Sequence, residues 1–319
     1  MKKTALTCLI ILTLAACASQ QPAVTSTPLA PVEPATPLPT LIPTSTLYVV
    51  TSTAVMPTNT VAPAVTSTPL PPVTGINNPY AVILVSAGDV LNIRSGAGTG
   101  FSIVGALSPS ATGVIRTGPE ANAGGNRWVE IQNPSGGTGW VNAKFLTEQV
   151  GSSTFCADPR VTDLLSNVRA AMLNSNGELL ASLVSPEHGL DLRLWRWGTV
   201  ANYTLKESAW VFGSDYEVSW GPAPGSGADT VGTFSEHVLP KLQEVFGANY
   251  SQHCNDTLDL ATFSTQPWPL EYSNVNFYTV YKPGSDQYGG LDWRAWTVGV
   301  EYVQGKPTLF ALINYQWEP

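Results

Sequence analysis

The chain has 319 residues, 43% of them hydrophobic and 12% charged, with a formal charge of -8 and a pI near 4.8. An acidic chain with no basic run excludes nucleic-acid binding and electrostatic attachment to anionic membranes. Glycine and proline are abundant, at 28 and 26 residues, and their uneven placement divides the chain into differently built parts.

Met1-Lys2-Lys3 precede a mostly apolar run from Ala5 to Ala16. That run is too short to span a bilayer and reads as a secretory signal. It closes on Leu14-Ala15-Ala16-Cys17, which resembles the lipobox of bacterial lipoproteins. The resemblance implies cleavage after residue 16 and acylation of Cys17. Each buried methylene contributes about 0.8 kcal/mol, so two or three chains would hold the mature protein to the extracytoplasmic face of a cell membrane. The membrane partner is then reached through lipid alone.

Residues 17–77 read as the lipidated cysteine followed by a disordered tether. Pro, Thr, Ser, Ala and Val dominate it, and Glu33 is its one charged residue. The octet Pro22 to Leu29 recurs identically as Pro63 to Leu70, without apolar periodicity, which marks low complexity. Proline favours extended polyproline II at about 3.1 Å per residue, so the tether would reach well over ~100 Å. Leu47-Tyr48-Val49-Val50 is read as part of it.

Residues 78–150 change to short strands and glycine-rich turns. Ala81 to Val85 and Gly113-Val114-Ile115 are β-branched runs, whereas Arg127 to Ile131 and Gly139-Trp140-Val141 alternate, as expected of a small all-β barrel. Four ordered motifs, Leu91 to Thr99, Val104 to Leu107, Trp128 to Ile131 and Gly139 to Val141, resemble the bacterial SH3-like domain. The segment Pro119 to Asn126 is longer than that family's usual connection. The resemblance implies a module that binds peptidoglycan or a cell-wall peptide. Asn92, Arg94 and Trp128 are its candidate ligand-binding residues; alternatively Asn92 satisfies turn backbone and Trp128 is internal. Trp140 is expected in the core.

Residues 151–319 form the acidic part, with 9 basic against 18 acidic residues from Phe155 onward and eight of the ten tryptophans. Behind Asp158-Pro159, apolar residues at 161, 164, 165, 168, 171 and 172 predict a helix. Glu178 to Val184 predicts a second, and Phe234 to Phe246, closed by Gly247, a third. Val275–Tyr281, Ala295–Tyr302 and Thr308–Tyr315 read as strands, the last two joined by a turn at Gln304-Gly305-Lys306. The expected class is α+β, helices packed on a curved antiparallel sheet. The order of elements resembles the nuclear transport factor 2-like fold.

Pro186-Glu187-His188-Gly189-Leu190, Trp220-Gly221, Thr233 to Glu236, Gly289 to Arg294 and Asn314 to Trp317 resemble an uncharacterised domain of secreted bacterial lipoproteins. Ser185 stands where that family often carries histidine. The resemblance brings no known activity.

Cys156 and Cys254 read as a disulfide in an oxidising compartment, with Cys254 as a nucleophile near His188 or His237 the alternative. His188, His237 and His253 lack metal-ligand spacing, so no metal is expected. No nucleophile elbow, phosphate loop or dinucleotide fingerprint occurs, so neither a cofactor nor a catalytic residue is assigned. Asp292, Trp293 and Arg294 are candidate ligand contacts, or Asp292 and Arg294 a structural ion pair. The sequence thus predicts a non-catalytic envelope protein, the alternative being a wall-targeted hydrolase. Convergence of Asp292, Arg294, Glu187 and His188 in one pocket would favour the hydrolase.

Overall fold

Strands β1 (Tyr80–Val82), β2 (Leu91–Arg94), β3 (Ile103–Leu107), β4 (Arg116–Ala123), β5 (Asn126–Gln132), β6 (Thr138–Asn142) and β7 (Leu146–Glu148) come first in the computed structural model. The structure describes residues 79–258 and 267–318, which belong to one compact unit. The signal segment, Cys17, the tether and its Leu47–Val50 run lie outside the described residues.

The five central strands of the barrel lie in the order β3-β2-β6-β5-β4, and β1 pairs with β7. Alternation sends Ile93, Val129, Ile131 and Val141 into one apolar core. The same alternation turns Trp140 outward, opposite Arg94 and Glu130, so it is only partly buried rather than a core residue. The long 119–126 segment is no loop. It extends β4 into a hairpin with β5, turning at Gly124 and Gly125, both at positive φ. The apolar run at 113–115 makes only a single bridge, Val114 to Tyr80.

The second part contains α1 (Ser152–Ala157), α2 (Pro159–Leu173), α3 (Gly177–Leu183), β8 (Leu190–Arg193), β9 (Ala201–Tyr203), α4 (Leu205–Trp210), β10 (Val218–Pro222), β11 (Asp229–Gly232), α5 (Phe234–His237), α6 (Leu239–Phe246), β12 (Ser251–Cys254), β13 (Asn276–Lys282), β14 (Arg294–Val303) and β15 (Lys306–Gln316). Asp158 caps α2 through its carboxylate, Pro159 occupies the first turn, and the six periodic apolar residues are the ones buried. The helix expected from Phe234 to Phe246 is two. Pro240 cannot donate to the carbonyl of Glu236, and the chain restarts as α6 beyond Val238.

Six strands form one sheet in the order β12-β13-β14-β15-β8-β9. It is mixed rather than antiparallel, because β8 runs parallel to β15. Helices α2, α3, α5 and α6 cover one face, where Trp220, Trp296, Phe234 and Phe246 are buried. The other face holds Phe277, Phe310, Ile313 and Tyr315 under Trp268, Tyr272 and Val275. Burial on both faces explains why β14 and β15 are apolar along nearly their whole length.

Ile83 joins this second core although it belongs to the barrel's first strand segment; Val82 and Val85 on either side of it stay in the barrel's own core. Asn274 donates to the carbonyls of Val82 and Ala111, and Asn276 to that of Val150. Barrel and sheet are therefore fused through shared core and hydrogen bonds, not strung on a linker.

The β14–β15 turn is part of the same seam. Gln304 and Gly305 have φ of 52° and 71°, a primed turn, and their amides donate to the Glu148 carboxylate at 2.6 and 2.9 Å. Gly305→Val forces a β-branched residue into left-handed backbone. It is expected to cost about 1–2 kcal/mol in urea unfolding, and an unchanged midpoint would refute this account of the turn.

Candidate functional site

A cleft of about 650 Å3 lies where the barrel meets the first hairpin of the large sheet. Arg127 from β5 and Lys144 from the turn after β6 line one side; Glu187, His188 and Asp191 line the other. Asn142 accepts from the Lys144 amide and so fixes the turn that carries the lysine. Asn202 on β9 closes the far wall, donating to the His188 carbonyl and the Asp191 carboxylate at 2.8 Å each. Asp191 also accepts from the Tyr272 hydroxyl at 2.7 Å.

The loop Ser185–Gly189 owes its shape to Ser185. This side chain is fully buried, and its hydroxyl accepts from the amides of Glu187 and His188. Gly189 sits at φ 74°, and a Cβ there would fall 2.7 Å from the Tyr203 carbonyl oxygen. Serine in this position is thus a turn organiser.

His188 crosses the seam between the two parts. Its Nδ1 lies 2.8 Å from both oxygens of Glu301, and its Nε2 lies 3.1 Å from the Lys144 carbonyl of the barrel. Glu301 in turn accepts from the Thr147 hydroxyl, also from the barrel, at 3.1 Å. Both side chains are almost wholly buried. A carbonyl and a carboxylate only accept, so a ring donating from both nitrogens is an imidazolium. Burial opposes that charge, but the Glu301 carboxylate outweighs burial through attraction and hydrogen bonding. Glu187 adds to it, and the His188 pKa is raised above its ordinary value.

Along the rim, Arg127 pairs with Glu187 across the seam and lies 3.4 Å from Glu120, which also pairs with Arg116. The Lys144 ammonium has no ion-pair partner among the described residues. The cleft therefore offers one free cation, a half-exposed guanidinium, the buried Asp191 carboxylate and the exposed Asn202 amide. That suits a ligand carrying carboxylates and amides rather than an apolar one.

The residues singled out from the sequence fall elsewhere. Arg94 donates to the carbonyls of Thr99 and Phe101 at 2.8 Å each, pinning the glycine-rich loop onto the barrel, and Asn92 lies two residues before it on β2. Trp128 is 4% exposed and its indole donates to the Ala123 carbonyl, so the β4–β5 hairpin takes away the open ring face expected of it. Asp292 and Arg294 do not pair. Asp292 accepts from the Ser285 amide and hydroxyl, chiefly the amide, which holds its pKa below the ordinary value. Arg294 lies 3.7 Å from Glu244, and Trp293 packs beside Tyr281. Neither Asp292 nor Arg294 lines the cleft with Glu187 and His188.

Cys156 and Cys254 are joined by a disulfide, their Cα atoms 5.8 Å apart, so Cys254 is not a free thiol. His237 instead contacts the Val231 carbonyl. Sequence reasoning marks Glu187 and His188, as part of a motif and of a possible hydrolase pocket, but not Lys144, Asn142 or Asn202. No local pattern marks these three, because the cleft exists only once the barrel is seated on the sheet.

Residues 89–147 match the family model of the bacterial SH3 domain. This stretch, β2 to β7 without the preceding β1, is therefore a bacterial SH3 domain. No curated protein and no solved structure matches the chain.

Proposed function

We propose that the chain is a lipid-anchored protein of the extracytoplasmic membrane face that holds cell-wall peptide, without catalysis, in the cleft under its bacterial SH3 domain. Residues 1–16 are the signal, Cys17 the acylated anchor, 17–77 the tether, 78–150 the binding module and 151–319 the domain it rests on. The observation that carries the reading is the SH3 match together with a polar cleft built partly from that module, at Arg127 and Lys144. A wall peptide presents carboxylates to those cations and amide or amino groups to Asn202 and Glu187.

Two observations favour binding over hydrolysis. Both nitrogens of His188 are engaged, leaving no lone pair for a general base. Asp292 and Arg294 lie apart from Glu187 and His188, so the convergence that would have favoured a hydrolase is not found. The helix pair, hairpin, further helices and four-strand meander support a nuclear transport factor 2-like reading of the large domain. Its helix-covered face is filled in part by tryptophan and phenylalanine, which favours a structural scaffold that positions the cleft.

Deleting the barrel would uncover the core that Ile83 shares, so point variants are the sound test. Protein lacking residues 1–17 is expected to pellet with purified sacculi, and Lys144→Glu to weaken pelleting about tenfold, since a rim cation becomes a repulsive anion. Failure of the parent to pellet, or equal pelleting by Lys144→Glu, would sink the wall-peptide reading. The anchor is checked separately: a palmitate analogue should label the full chain and not Cys17→Ser.

A further inference from the structure

A second concavity, of about 640 Å3, opens where β9, α4 and β10 meet. Asn202 lines both it and the cleft. Its chemistry is different. Trp210, at the end of α4, and Tyr216, before β10, line it and are 44% and 68% exposed, large rings that the fold leaves in water. Glu207 and Glu217 also line it, and no lysine, arginine or histidine does.

Neither carboxylate is neutralised by an ion pair among the described residues. Glu207 directs one oxygen, Oε2, to the amide and hydroxyl of Thr204, as the capping box of α4. Its other oxygen makes no hydrogen bond in that motif. These bonds from Thr204 keep the Glu207 carboxylate ionised, its pKa below the ordinary value. Glu217 is exposed on the loop that leads into β10.

We infer that this groove binds the alkylammonium group of a small ligand, the cation facing Glu207 and Glu217 and its alkyl substituents lying on Trp210 and Tyr216. Two carboxylates held in no ion pair among the described residues, with only Lys206 beside Glu207 to offset them, repel an anion and give a neutral ligand no advantage. A cation gains from both carboxylates and from the negative faces of the rings, while its methyl or methylene groups cover aromatic surface that is otherwise wet. The inference is independent of the wall-peptide reading, because none of these four side chains is assigned to the cleft's binding groups.

The test is calorimetric titration of the protein lacking residues 1–17 with choline, beside its uncharged isostere 3,3-dimethylbutan-1-ol. Choline is expected to bind saturably and the isostere at least about tenfold more weakly, with the difference shrinking as salt is added. Trp210→Ala should cut choline affinity about tenfold and Glu217→Gln several-fold, while Lys144→Glu leaves it unchanged. Trp210 and Tyr216 are exposed enough for alanine variants to fold, which the thermal midpoint verifies. Equal binding of the isostere, no heat from choline, or full affinity in both Trp210→Ala and Tyr216→Ala overturns the proposal. Binding of N-acetylglucosamine oligomers without choline binding would also overturn it, by making the groove a sugar site.

Discussion

Glu301→Ala is expected to destabilise the protein by about 3–5 kcal/mol in urea unfolding, because it strands the His188 imidazolium in a buried position. The residues packed around that ring make the effect specific. Glu301 and Glu187 are the carboxylates whose charges favour the imidazolium, and Arg127 is already paired with Glu187. The Lys144 contact is through its backbone carbonyl, not its charge. The raised pKa of His188 fixes the pH dependence. In the unfolded chain the histidine releases its proton near about 6.5, and in the folded chain only above that. The folded state therefore binds more protons in the window between, and stability falls as pH rises through it. Below about 6.5 the contribution is complete. Subtracting the stability of Glu301→Gln from that of the parent across pH 5 to 9 should give a curve that declines with pH in this window. A flat difference would mean that the pair carries no proton-linked stability. Both Lys144 and Thr147 belong to the barrel, so loosening the pair should also loosen the barrel's seat and the cleft with it.

That seam is the part of the structure least legible in the sequence. Helix α2 could be read residue by residue, since a 3.6-residue apolar period and an Asp-Pro start are local facts. The β14–β15 hairpin is legible for the same reason, from its turn at Gln304-Gly305 and the mostly apolar, β-branched and aromatic strands on either side. The fate of Ile83 is not. It lies in one β-branched run with Val82 and Val85, and nothing in that run says that one residue leaves the barrel for another core. Trp128 and Trp140 show a related limit. Alternation indicates that neighbouring side chains face opposite ways, but not that the outward face at Trp128 will be covered by a hairpin while Trp140 stays partly open. Asp292 and Arg294 look paired on a continuous strand; Asp292 lies in the turn before β14 and is held by Ser285. Glu301, the centre of the seam, stands in the sequence as one glutamate within a mostly apolar strand, and a lone carboxylate among buried residues is the one local signal that marks it.

Removing the disulfide is expected to cost about 4 kcal/mol, nearly as much as breaking the buried pair. Cys156 and Cys254 are 98 residues apart, and closing a loop of that length restricts the unfolded chain by about that free energy in the chain-entropy account. The native surroundings do not replace it. Helix α1 has six residues, too few to hold its own shape, and it touches the sheet through Phe155 against Tyr278 and through the Cys156 carbonyl, which accepts from the Tyr278 hydroxyl at 3.3 Å. Asn255, next to Cys254, adds bonds to Ser152 and Asn276. These contacts fix where α1 lies once the chain has folded, while the disulfide limits what the chain can do beforehand. Two measurements separate the roles. Unfolding of the Cys156→Ser, Cys254→Ser double variant should show the full loss, and the reduced parent should match it. Amide exchange in the double variant should be faster in α1 and β12 than in β14 and β15, whose hydrogen bonds lie between two apolar layers. If exchange rises uniformly, the disulfide acts on the whole chain through its unfolded state alone. If stability is unchanged, the unfolded chain already keeps these two segments close, and the loop-closure argument does not apply to this protein.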